Sequence, residues 1–437
     1  MIVSNEKWVT RILYLLIFSI FLPYSNDLLI RLDQLIVYTL FLYFILSSLF
    51  LFRIPLYGIS IIIFITFLSF ISSIGIYLVS DKYFLQNREL YYIIADLEPF
   101  IIIIAIVYVV SNLLNYLDIN QLDKVKYKII NFYIILLCIH ALFMIYVTTK
   151  SEIPDFILNY YWQTTEMDLI NTVAGRSYLN ARFTGIFQQP MEVGCAYMIG
   201  LLLFAYKCNY DVLILFKKFP ILILLFIGGF LPLSKAFYLG IFIFTLLFFL
   251  NLKKIPIFLL ILIIISYLGF IILTFYTPFS NWNGMNNILI IYEMVKTLEF
   301  EKIVNAFSGG RFGSVASAQS LMFNQVIENS RIFGFGFGSF AANEVPSDSG
   351  YMHIFYLSGV IGLFSFTLAL FTGLLLTIMN YYNCRINEYL LMLTFIIYIV
   401  IVNFGVPIFV LNRVSLILFL FLIFFIIYGE KFKKNIL

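Results

Sequence analysis

The chain has 437 residues, of which 62% are hydrophobic, 19% aromatic and 11% charged, with a formal net charge of +4. Soluble domains carry about 25% charged residues, so a water-soluble fold is excluded. The apolar runs are continuous rather than alternating, which excludes a membrane β-barrel, and the small positive charge gives no ground for a nucleic-acid partner.

The expected fold is therefore all-α: a polytopic membrane protein with about 12 transmembrane helices, forming a single integral membrane domain over 1–437. A spanning helix needs roughly 20 mostly apolar residues. Candidate runs lie at about 8–24, 34–52, 55–80, 91–111, 128–148, 191–206, 218–233, 236–251, 255–276, 351–380, 388–409 and 413–429. Lys7 and Arg11 before Ile12–Leu22 imitate a signal peptide, but no small-x-small cleavage site follows, so the run reads as a retained first span.

Asp96 and Glu98 lie in the fourth run, just before Pro99. Intramembrane acids are costly and mark functional positions, unless they face an aqueous cavity at a helix end. His140, in the fifth run without a charged neighbour, reads as a satisfied core residue. Cys138, Cys195, Cys208 and Cys384 fall in or beside apolar segments at wide spacing, so they read as small buried hydrophobes rather than a metal site or disulfide framework.

Orientation follows from basic residues in short loops. With a cytoplasmic N-terminus, fifteen Lys and Arg lie inside, while the short outer loops hold five: Arg31, Lys82, Arg88, Lys235 and Arg413. Both termini are then cytoplasmic. Two long polar segments, 149–190 and 277–350, fall on the outer face, the second between helices 9 and 10.

Within the first outer segment, Arg182 precedes the sixth run. There a helix N-terminus favours anions and an Arg fork adds bidentate contacts to phosphate. The competing reading is an interfacial Arg that reaches for lipid headgroups. Arg176 is a weaker case of the same kind. Lys235 sits in the tight turn between the seventh and eighth runs, either keeping the turn in water or contacting a lipid phosphate.

The 277–350 segment carries two amphipathic helical patterns, 288–307 and 312–328, then Gly334, Gly336 and Gly338. These glycines suit close approach to a ligand or to another backbone. Arg311 follows Ser-Gly-Gly at a helix start, where a cation opposes the dipole. An anion bridging Arg311 and the helix start would remove that conflict. Asp348, Ser349 and Gly350 lead into the tenth run, where Asp348 or Ser349 could be the N-cap. His353, with an ordinary pKa near 6.5, suits a general base, and Asp348 could orient it or accept the proton itself. Walker A, G-x-S-x-G and His/Cys metal patterns are absent from the sequence, so neither nucleotide, metal nor other cofactor is expected.

Taken together, these segments resemble the O-antigen polymerase and O-antigen ligase superfamily of bacterial surface-polysaccharide enzymes. The matching stretches are Arg182-Phe183-Thr184-Gly185-Ile186-Phe187-Gln188-Gln189-Pro190, Leu233-Ser234-Lys235-Ala236-Phe237, Gly310-Arg311, 332–340, Asp348-Ser349-Gly350-Tyr351 and Gly359-Val360-Ile361-Gly362. The layout of spans and outer loop matches over the whole chain. The resemblance implies a membrane-embedded, metal-independent glycosyltransferase of the bacterial cytoplasmic membrane, with its active site on the extracytoplasmic face. It would join polyprenyl-diphosphate-linked oligosaccharides. Arg182 and Arg311, with Lys235 and Arg176 assisting, would hold the diphosphate, and His353 or Asp348 would be the base. Ligases show His followed by Asn, whereas His353-Ile354 stands here, so the Asp-Ser-Gly-Tyr run looks more like polymerases. A ligase using another acceptor, and a lipid-glycan flippase, are the competing functions; a chain-length regulator is a partner the resemblance leaves open. On this reading, Arg182 and Arg311 converge on one anionic pocket.

Overall fold

The computed structural model describes residues 6–23, 31–47, 56–79, 90–150, 153–162, 166–179, 182–250, 325–338, 349–403 and 405–436. Arg311, Asp348, most of 277–350 and the expected span at 255–276 lie outside the described residues.

Every regular element among the described residues is helical. In chain order the helices are α1 (Glu6–Ser19), α2 (Leu32–Ser47), α3 (Leu56–Val79), α4 (Leu90–Asn115) and α5 (Ile119–Lys150). A π-helical segment (Ile157–Trp162), a 3-10 segment (Glu166–Asn171) and α6 (Val173–Leu179) follow within the polar stretch 149–190. Then come α7 (Pro190–Lys207), α8 (Val212–Lys217), α9 (Phe219–Phe230), α10 (Lys235–Leu250), α11 (Gly350–Cys384), α12 (Asn387–Val402) and α13 (Asn412–Ile436). Among the described residues, four stretches are long and apolar enough to cross a membrane: Asp96–Asn115, Ile119–Thr149, Gly350–Cys384 and Arg413–Asn435. Leu32–Leu46, Thr66–Gly75, Phe219–Phe230 and Asn387–Val402 are apolar but shorter. Helices are the form an apolar run takes in lipid, because each satisfies its own backbone.

The chain divides into two compact units, one of Met1–Ile12, Gln34–Lys126 and Phe307–Leu437, the other of Leu13–Asp33 and Tyr127–Ala306. In the first, α13 is the core helix. It packs on α4 and α12, and 89% of its apolar window is buried, against 17% for α11. Its C-terminal Lys431 sends its ammonium to the backbone oxygens of Leu114, Asn115 and Leu117. Leu114 and Asn115 carry the last carbonyls of α4 and Leu117 follows its end, and a cation there suits the helix dipole.

A buried ionic cluster ties α5, α12 and α13 together. Lys126 Nζ lies 2.6 Å from Glu388 Oε1 and 2.8 Å from Asp123 Oδ1. It also sits 3.8 Å above the centre of the Tyr428 ring, whose hydroxyl donates to Asp123. Hydropathy assigns Lys126 to a loop, but α5 begins at Ile119 and carries it as a buried residue. Two of the five charges expected in short outer loops are buried as well. Arg31 forms a two-pronged contact with Asp33 in the first turn of α2. Arg413, 1% exposed, lies in the first turn of α13.

α11 is interrupted. Gly359 has φ 61° and ψ −157°, a backbone region open essentially to glycine alone. The break frees carbonyls before it and N–H groups after it, and 331–336 pairs with them. Phe335 N and Gly336 N donate to the oxygens of Tyr356 (2.8 Å) and Leu357 (2.9 Å). Val360 N and Ile361 N donate to Arg331 O (3.0 Å) and Ile332 O (3.3 Å). Ser72 of α3 adds a bond to Leu357 O at 3.2 Å. The glycine-rich segment thus meets another backbone. Gly75 belongs to the same contact, since a Cβ there would sit 2.8 Å from Phe333 O.

The second unit is built around α7, which packs on α9 and α10. Small residues allow the approach: a Cβ at Gly194 would stand 2.4 Å from Ser234 Oγ, one at Gly200 2.3 Å from Leu137, and one at Gly228 2.2 Å from the Tyr197 ring. Tyr133 of α5 donates to Ala196 O of α7 at 2.9 Å. Cys195 and Cys208 are buried, while Cys138 and Cys384 are partly exposed, so burial covers only two of the four thiols.

Candidate functional site

The second unit brings two of the expected site segments together. Pro190 starts α7, since proline has no N–H to lose at a first helical turn, and the irregular stretch before it, 182–189, meets the α9–α10 turn. Phe183 N donates to Leu231 O at 3.1 Å. Arg182 Nε donates to Pro232 O at 3.2 Å and Nη2 to Leu233 O at 3.4 Å. Arg182 therefore holds the α9–α10 turn just past the carbonyl end of α9, a favourable place for a cation. Lys235 opens α10 two residues later, after Leu233 at φ 49°. Arg182 and the turn into Lys235 share one place in the fold, although Pro232 of that turn lies fifty positions from Arg182 in sequence.

The stretch itself is tightly held. Gly185 takes φ 59° and turns the chain. Trp162 Nε1 donates to Gly185 O at 3.0 Å, and Ile186 N donates to His140 Nε2 at 3.2 Å. Gln188 reaches Tyr161 O at 3.3 Å. Beside it lies a small apolar pocket of about 10 Å³, lined among others by Phe143, Met144, Trp162, Tyr178, Phe183 and Thr184. Thr184 Oγ1 is buried there with no hydrogen-bond partner among the described residues. One wall is the π-helical segment, a geometry frequent at functional positions. Arg176 stands exposed in the last turn of α6, and Ser177 O accepts from Arg182 N at 2.8 Å.

In the first unit, Ser349 is the N-cap of α11, accepting from Met352 N at 3.5 Å, and its hydroxyl donates to Asn403 O at 3.0 Å. Gly350 N donates to the same oxygen at 2.8 Å. These contacts fix the first turn of α11, which carries His353. That ring is only 4% exposed, so an acceptor hydroxyl would reach it only after its surroundings move. Asp96, the acid expected either to be functional or to face an aqueous cavity, is buried and accepts from Gly338 N at 2.7 Å.

Sequence reasoning named Arg182 and Lys235 but missed what seats them: Trp162, His140 and the carbonyls of Pro232 and Leu233. Local pattern holds no signal for these, since each partner lies on another element. No family model, no curated protein and no solved structure matches the chain.

Proposed function

We propose that this protein is a membrane-embedded glycosyltransferase that polymerises polyprenyl-diphosphate-linked oligosaccharide repeat units into a surface polysaccharide. The observation that supports it is the meeting of Arg182 with the turn that starts α10 at Lys235. As the glycosidic bond to a diphosphate breaks, negative charge develops on the leaving group. Fixed cations and helix N–H groups aimed at that charge lower the barrier without a nucleotide. The full reading has about twelve spans with both termini cytoplasmic, and the outer 277–350 segment brings Arg311 to the same diphosphate. Asp348 or His353 takes the acceptor proton.

The test uses purified protein in detergent with a synthetic polyprenyl-diphosphate oligosaccharide. Arg182→Ala is expected to slow elongation by about 100-fold or more, with Arg182→Lys retaining part of the rate. Unchanged elongation by Arg182→Ala at equal folded protein would refute the assignment. Transfer to a different acceptor without elongation would make the protein a ligase, and movement of glycolipid across vesicles without transfer would make it a flippase. Discontinuous helices serve transporters when their freed backbone groups line a cavity. Those at Gly359 are instead paired with 331–336, so the break lends the flippase no support.

A further inference from the structure

His140 does more than fill the core of the second unit. Its Nε2 accepts from Ile186 N at 3.2 Å, and its Nδ1 faces Tyr197 Oη at 2.9 Å. Tyr197 spends its one proton on Leu137 O, also at 2.9 Å. Nδ1 must then be the donor to Tyr197, which leaves Nε2 bare for Ile186, so the ring is the neutral Nδ1–H tautomer. A Cβ at Gly185 would stand 2.3 Å from Nε2, so the ring lies directly beneath the turn. Phe187 and Phe21 pack edge-on against the imidazole, with centroids at 5.1 Å and 6.3 Å.

Three residues lie between Arg182 and Ile186. Between them the chain is pinned at Gly185 O by Trp162 and at Phe183 N by Leu231 O. The guanidinium is held on the far side by Pro232 O and Leu233 O. His140 is one of the ties that seat 182–186, so losing it loosens the segment that carries Arg182.

We propose that His140 is a positioning residue: through Ile186 N it sets the loop that aims Arg182 at an anionic ligand of the isoprenoid-diphosphate class. This rests on the diphosphate reading of Arg182. A mere core filler would tolerate either amide replacement equally; a positioning contact through Nε2 would not. Glutamine places its amide oxygen near the Nε2 position and can still accept from Ile186. Asparagine reaches only the Nδ1 position and keeps Tyr197 alone.

The experiment measures binding of geranylgeranyl diphosphate to the full-length protein in detergent, together with hydrogen exchange over 182–188. Wild type should bind, and Arg182→Ala should lose that binding. His140→Asn and His140→Leu should each weaken binding about tenfold, the equivalent of one hydrogen bond, and speed exchange over 182–188. His140→Gln should match wild type in both. Equal behaviour of the Asn and Gln variants in exchange and binding would overturn the positioning role while leaving the diphosphate reading intact. Failure of wild type to bind, or full binding by Arg182→Ala, would overturn both. Exchange reads the loop without any ligand, so a variant with altered stability is still scored against its own thermal midpoint.

Discussion

Gly359→Ala should damage this protein far more than an ordinary glycine substitution, and the geometry says how much. A residue at φ 61°, ψ −157° occupies a region that costs a side chain about 1–3 kcal/mol. The new methyl would also lie 2.4 Å from Ile332 O, 2.5 Å from Ile332 C and 2.6 Å from Gly334 N. All three are backbone atoms, so no side chain can swing aside. The 331–336 segment must retreat, weakening the bonds it makes to Tyr356, Leu357, Val360 and Ile361, each worth about 1 kcal/mol. The expected loss is at least about 4 kcal/mol, combining these two effects. Gly405→Ala is the control, because its Cβ meets nothing within 4 Å, and it should stay within about 0.5 kcal/mol of wild type. Thermal unfolding in detergent gives the midpoints, and hydrogen exchange over 331–336 localises the damage. If the Gly359→Ala and Gly405→Ala midpoints coincide, the paired break in α11 is wrong.

Asp96→Leu should leave the Gly338 N–H without its carboxylate acceptor, costing about 1–3 kcal/mol. Asp96→Asn should recover most of that, and amide exchange at Gly338 reads both. Lys126→Met should cost about 3–5 kcal/mol by leaving the buried Glu388 carboxylate without its ammonium. The double variant Lys126→Met, Glu388→Leu should regain much of the loss in a thermal denaturation cycle, whereas additive losses would show that the two do not interact. Gly373→Ala should stabilise by about 0.5–1 kcal/mol, since it lies inside α11 and its methyl meets only Ile396 Cδ1 at 3.8 Å. A lowered midpoint would contradict the packing of α11 on α12.

Much of the helical layout follows from hydropathy, and the misses share one cause. Eleven of the twelve apolar runs fall on helices, the ninth lying outside the described residues. The ends differ where a helix continues through charge: α5 starts at Ile119 rather than 128 because Lys126 finds Glu388, 262 residues onward. A hydropathy window counts that lysine as solvated, since its partner is remote. A cap at Asp348 or Ser349, which the fold gives to Ser349, and the satisfied ring of His140 were readable, one from its place before a helix, the other from its apolar surroundings. The partner of His140 was not, because Ile186 sits on a loop 46 residues away.

Sequence alone determined that the chain is helical and apolar, because residues of this composition can satisfy their backbone in lipid only within helices. It also singled out Arg182, Lys235 and the glycines at 334–338 as departures from that rule. Tertiary structure decided what those departures meet. The glycines enter a break at Gly359, Asp96 receives one of their N–H groups, and Arg182 reaches the α9–α10 turn. Such contacts depend on which helices pack together, and that is set by side-chain shape across elements distant in sequence.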